Sequence, residues 1–127
     1  VNCNTSINLE MSNADEYTLR AMRAASPALQ EWWHDGKEYD YRGDVIHDGE
    51  CPRSWKGVTW SDDRVQGLDL DGSKLEVLPP QIGQLRALTD LGLNRCPLKE
   101  LPLETGQLLA LTNLFLDNCK QLTLAPG

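Results

Sequence analysis

Residues 88–98 read LTDLGLNRCPL and residues 111–121 read LTNLFLDNCKQ. The same leucines and a cysteine return after 23 residues, and this recurrence decides how the chain is read. Working outward, VQGLDLDGSKLEVLPPQIGQLRA (65–87) lies over LTDLGLNRCPLKELPLETGQLLA (88–110), and LTNLFLDNCKQLTLAPG (111–127) follows in register. Val65, Leu68 and Leu70 align with Leu88, Leu91 and Leu93, then with Leu111, Leu114 and Leu116. Ser73, Cys96 and Cys119 share one column, Leu78, Leu101 and Leu124 another, and Gly83 pairs with Gly106. The alternation around Leu91 and Leu93 has the period of a strand, so these two leucines face a core and Asp90, Gly92 and Asn94 face away. Pro79 and Pro102 fix φ and lack a backbone donor, which suits the start of a turn.

The frame resembles the leucine-rich repeat, L-x-x-L-x-L-x-x-N/C-x-L, whose period is about 20–29 residues. The run CPRSWKGVTWSDDRVQGLDL (51–70) adds a more specific resemblance, to the junction between the N-terminal cap and the first repeat of plant-type extracellular leucine-rich-repeat proteins. Cys51, Trp55, Gly57, Val58, Arg64, Val65, Leu68, Asp69 and Leu70 carry it, and Trp32 or Trp33 resembles the tryptophan that ends the cap helices. The 23-residue length and the LP step are nearer to the repeats of intracellular signalling scaffolds and repeat-bearing GTPases. The resemblance implies an α/β solenoid, a right-handed curved array of short parallel strands with a helical N-terminal cap. Residues 1–60 would be the cap and 61–127 about three repeats, uncapped at the C-terminal end. The array is then expected to continue, or a neighbour to cap Leu116 and Leu124. Trp60 stands where the family has its second junction cysteine, so the resemblance implies that Cys51 is either free or paired elsewhere, with Cys3, the other cysteine of the cap, as the candidate partner.

Ahead of the repeats, SNADEYTLRAMRAA (12–25) reads as a helix capped by Ser12 or Asn13, with Tyr17, Ala21, Ala24 and Ala25 on one face and Leu19 and Met22 beside it. SPALQEWW (26–33) reads as a second helix, with Ser26 as cap and Pro27 in the first turn. HDGKEYDYRGDVIHDGE (34–50) reads as a polar loop, punctuated by D-G and R-G steps.

The net charge of −7 argues against a phosphate-binding surface and hence against nucleic acid. No apolar run reaches the roughly 18 residues of a membrane span. The opening VNCNTSINLEMSNADE is polar and has no signal-like apolar stretch. Asn4 begins an N-glycosylation triplet, NTS. His34, His47 and Cys51 lack the close second pair that a zinc site needs, so neither metal nor cofactor is expected. RGD at 42–44 resembles an integrin-binding tripeptide on three residues alone. There is no G-x-S-x-G and no glycine-rich phosphate loop, and catalysis is not expected. Cys96 and Cys119 read as packing thiols of the repeat.

The outward positions Asp69, Asp71, Asp90, Asn94, Asn113, Phe115 and Asp117 form the candidate binding surface, a concave face in the solenoid. It is acidic and carries one aromatic ring. Together with the resemblance, it gives the expectation of a non-catalytic recognition module, receptor-like or secreted, binding a peptide, protein or glycan. The compartment expected is extracellular or secretory, with the cytoplasm as alternative. Two other readings stand beside it: a structural accessory subunit of a larger assembly, and a regulatory segment of an intracellular signalling protein such as a repeat-bearing GTPase.

Overall fold

The computed structural model describes residues 14–122. Among them the chain forms α1 (Ala14–Ala25), α2 (Pro27–Trp32) and six strands: β1 (Lys37–Tyr39), β2 (Val45–Asp48), β3 (Val58–Ser61), β4 (Arg64–Asp69), β5 (Asp90–Gly92) and β6 (Asn113–Phe115). β1 and β2 make a two-stranded antiparallel sheet. β3, β4, β5 and β6 make a second sheet in that order, in which β3 runs antiparallel to β4 and the other pairs are parallel. Short 3-10 turns occupy Pro52–Ser54, Pro80–Gln84 and Leu103–Gln107.

The local reasons are visible in the residues. Ser26 is extended and its hydroxyl accepts a bond from the Leu29 backbone N–H at 3.3 Å, with Pro27 opening α2. Pro79 and Pro102 hold φ at −61° and −70° immediately before the second and third 3-10 turns. Each turn returns the chain to the next parallel strand. Backbone bonds then knit the sheet: Leu70 N–H donates to the Gly92 carbonyl at 2.8 Å and Leu93 N–H to the Phe115 carbonyl at 2.9 Å.

The expected leucine-rich-repeat solenoid, a right-handed curved array, is not the architecture. The chain is a small mixed α/β fold of two helices and two sheets, of two and four strands, without solenoid closure. In a solenoid each unit contacts only its neighbours. Here the non-repeating half shares the core of the sheet. Leu19 and Met22 of α1, Leu29 of α2, Trp33 and Trp55 belong to the same buried cluster as Leu68, Leu70, Leu91 and Leu93. Trp33 and Trp55 stack at 4.9 Å, and their indole N–H groups donate to the carbonyls of Lys56 (2.8 Å) and Asp48 (3.1 Å). The sheet also changes direction at the β3–β4 hairpin, and burial fades after β5: Leu91 is fully buried, Leu114 is 38 % exposed.

Two local expectations change as well. The buried face of α1 is Asp15, Thr18, Leu19 and Met22, while Tyr17 is exposed. Asp15 turns this face inward because its carboxylate accepts bonds from Arg64 Nε at 2.9 Å and from the Val65 backbone N–H at 2.8 Å, tying the helix to β4. Residues 34–50 are not an open loop but carry the β1–β2 hairpin, whose apolar side chains are exposed while the polar His47 is the one buried, so there is no apolar alternation to read.

Candidate functional site

The parallel register of β4, β5 and β6 builds two cross-strand rows. Gly67, Asp90 and Asn113 form one, and Asp69, Gly92 and Phe115 the next. Leu68, Leu91 and Leu114 lie between them and face the other side. The two rows floor and wall a depression of 220 Å³, lined by Thr59, Gln66, Asp69, Asp71, Asp90 and Phe115 above Gly67 and Gly92. Among the described residues no lysine or arginine lines it.

Hydrogen bonds fix the acidic groups. Asp69 Oδ1 accepts from the Asp71 backbone N–H at 3.0 Å. Asp71 accepts from the Asn94 backbone N–H at 2.8 Å and from Asn94 Nδ2 at 3.3 Å. Asn94 Oδ1 in turn accepts from the Asp117 backbone N–H at 2.7 Å. Asp90 accepts from Asn113 Nδ2 and, at 3.4 Å, from the Thr89 hydroxyl. The second oxygen of Asp69 has no hydrogen-bond donor among the described residues. Gly92 matters by what it lacks: a Cβ there would lie 2.8 Å from Asp71 Oδ1 and 3.3 Å from Asp69 Oδ1. Its absence keeps both carboxylates open to a guest. Phe115, 47 % exposed, flanks that gap. Fixed acceptors beside an aromatic face suit a cation.

Six of the seven expected surface residues thus fall into two hydrogen-bonded groups, Asp69–Asp71–Asn94–Asp117 and Asp90–Asn113, and Phe115 flanks them; Asn94 and Asp117 lie outside the lining of the depression. Gln66 and Thr59 were not expected; β3 brings Thr59 beside Gly67, and that antiparallel pairing leaves no periodic mark.

The remaining candidates lie elsewhere. Cys96 is buried and donates to the Leu70 carbonyl at 3.1 Å, with Ser73 Oγ at 3.4 Å; Cys119 donates to the Leu93 carbonyl at 3.0 Å. Both are free thiols. Burial pushes the Cys96 thiol upward from its ordinary value, against the lowering effect of the Ser73 hydrogen bond. Cys51 is disulfide-bonded. Cys3 and Asn4 lie outside the described residues. The described residues contain no group of three or more His, Cys, Asp or Glu arranged to hold a metal. Arg42, Gly43 and Asp44 sit in the β1–β2 turn, where Arg42 reaches Asp44 at 3.6 Å and Asp40 at 3.8 Å. Among the described residues no helix is long and apolar enough to cross a membrane.

No protein-family model matches the chain, and no curated protein matches it.

Proposed function

We propose that the chain is a non-catalytic recognition module that binds a peptide or protein segment, seating one basic side chain on the open face of the four-stranded sheet. One observation carries this reading. The Asp69–Gly92–Phe115 row sets a carboxylate, a floor without a side chain and an aromatic ring in a single cross-strand line. An ammonium or guanidinium placed over Gly92 would meet the free oxygen of Asp69, the carboxylates of Asp71 and Asp90, and the Phe115 ring. A cation over such a ring gains about 0.5–2 kcal/mol, and charge-assisted hydrogen bonds are roughly twice as strong as neutral ones. The acidic balance of the chain, −7, adds steering of basic partners toward the protein.

An extracellular or secretory setting is part of the proposal. The Asn4 triplet and the Cys51 disulfide support it, since disulfides persist in oxidising compartments.

The test is selection of peptides from a random displayed pool on the immobilised chain. Enrichment of Lys or Arg, lost with the double substitution Phe115→Ala and Asp90→Asn, is the expected result. A pool with no basic enrichment, or one that binds the double variant equally well, removes this face from consideration. Enrichment of glycans on an array in place of peptides would redirect the ligand class.

A second reading, a structural accessory subunit, is favoured by a different observation. Among the described residues β6 pairs with β5 alone, and Leu103 and Leu109 nearby are 95 % and 90 % exposed. An unpaired strand edge is a surface on which a neighbour can dock. Stable co-purification that depends on Leu109 and not on Phe115 would select this reading.

A further inference from the structure

β6 ends the four-stranded sheet, and among the described residues it pairs with β5 alone. Its inner edge is filled. The Asn113 N–H donates to the Thr89 carbonyl at 3.0 Å, and the Phe115 carbonyl accepts from the Leu93 N–H at 2.9 Å. Successive residues of a strand turn their peptide groups to opposite edges. The N–H and C=O of Leu114, between these two, therefore face away from β5. Such an outer edge is a template for one more strand.

The two faces beside this edge differ in chemistry. On one, the leucine row runs out of cover: Leu68 is 2 % exposed, Leu91 0 % and Leu114 38 %. On the other stand Asn113, Phe115 and, in the turn that follows, Asp117. The Asp117 carboxylate has no ion-pair or hydrogen-bond partner among the described residues; only its backbone N–H is bonded, to Asn94. Behind Phe115 lies the gap over Gly92, with Asp69, Asp71 and Asp90 around it.

An added strand must match both faces. Adjacent strands lie about 4.8 Å apart, so Gly92 is roughly 10 Å from the backbone of a strand added to β6. A side chain on the acidic face crosses Phe115 before it meets the carboxylates. Lys and Arg have the length for this, with an apolar stem for the ring and a charge for the gap. The residues between them point to the leucine side, where an apolar side chain would cover Leu114. A second copy of β6 (Asn113–Phe115) carries no lysine or arginine, so charge complementarity favours a different chain.

We infer that the partner binds as an extended segment that adds to β6 as a fifth strand, with lysine or arginine at alternate positions and apolar residues between them. This mode rests on the acidic face being a seat for a basic side chain; it adds the partner's conformation and its sequence pattern.

Two acetylated, amidated pentapeptides of one composition test it on the intact chain. The first alternates lysine and valine, beginning and ending in lysine; the second has three lysines followed by two valines. In a titration followed by NMR the alternating peptide should bind about fivefold tighter or better. Hydrogen exchange at the Leu114 amide should slow as it binds. N-methyl groups on one alternate set of its amides should weaken binding about tenfold, and on the other set less than about twofold. Loss at the valines means antiparallel addition, and loss at the lysines parallel addition. Equal binding of the two peptides overturns the added strand and leaves the basic seat standing. Binding of neither removes seat and strand together. N-methyl groups that act without alternation overturn the added strand, and so does a Leu114 amide already protected in the free chain by its own residues or a second copy.

Discussion

Gly83 is pressed against Glu104: a Cβ on Gly83 would lie 2.8 Å from the Glu104 carbonyl oxygen and 2.6 Å from Gln107 Oε1. The aligned Gly106, 23 residues later, has nothing within 4 Å of the same added atom among the described residues. The two glycines look interchangeable in sequence and differ only in whether another 3-10 turn packs on them. Gly83→Ala should therefore cost about 1–3 kcal/mol, as overpacking does, while Gly106→Ala should be within about 0.5 kcal/mol of neutral. Urea denaturation of the two variants checks this. Equal losses would mean that the crossover packing at Gly83 is wrong.

Gly72, Arg95 and Asn118 recur at the same spacing, and all three hold a left-handed φ, of 79°, 61° and 62°. Glycine adopts this region freely and asparagine tolerates it, but a residue such as arginine is strained there by about 1–2 kcal/mol. Arg95 is exposed, and its backbone N–H bond to the Asp117 carbonyl at 2.8 Å survives substitution. Arg95→Gly should stabilise the chain by roughly 0.5–1 kcal/mol, after the entropy lost by glycine is subtracted. A lower melting temperature would contradict the strain argument.

Phe115→Ala tests the acidic face on its own. The ring is half exposed, so stability should stay within about 0.5 kcal/mol of the parent chain. Affinity for a selected basic peptide should fall about tenfold, the equivalent of roughly 1.4 kcal/mol. Calorimetric titration and a thermal melt on the same sample separate the two effects.

Cys96 carries a pH prediction. Burial raises its thiol from the ordinary value of 9.0, so the folded state favours the protonated form. Its contribution is complete below the ordinary value and is lost as pH rises through the raised one. The stability difference between the parent chain and Cys96→Ala should be flat across the neutral range and shrink above about pH 9. Cys119, only half-buried, should react with an alkylating reagent well before Cys96. Equal rates would place both thiols in similar surroundings.

The sheet face was legible in the sequence because strand alternation and the 23-residue spacing both survive in the registers Leu68–Leu91–Leu114 and Asp69–Gly92–Phe115. The same regularity overstated the architecture. Three aligned strands say nothing of what Leu19, Met22, Trp33 and Trp55 do, and these residues merge the first half of the chain into the core of the sheet. The role of Asp15 carries no mark in the sequence, since a buried tether to Val65 spans 50 positions and has no local signature.

The β1–β2 hairpin is fastened at its base by the His47–His34 bond, while Tyr41 at its turn is 94 % exposed. The segments on either side of it are already joined by Asp15 and Arg64, so the hairpin is an excursion from a closed frame. Loop-closure entropy grows only logarithmically, and doubling such a loop costs about 0.6 kcal/mol. Residues 40–44 are thus the position at which this fold can accept inserted sequence while the four-stranded sheet stays in place.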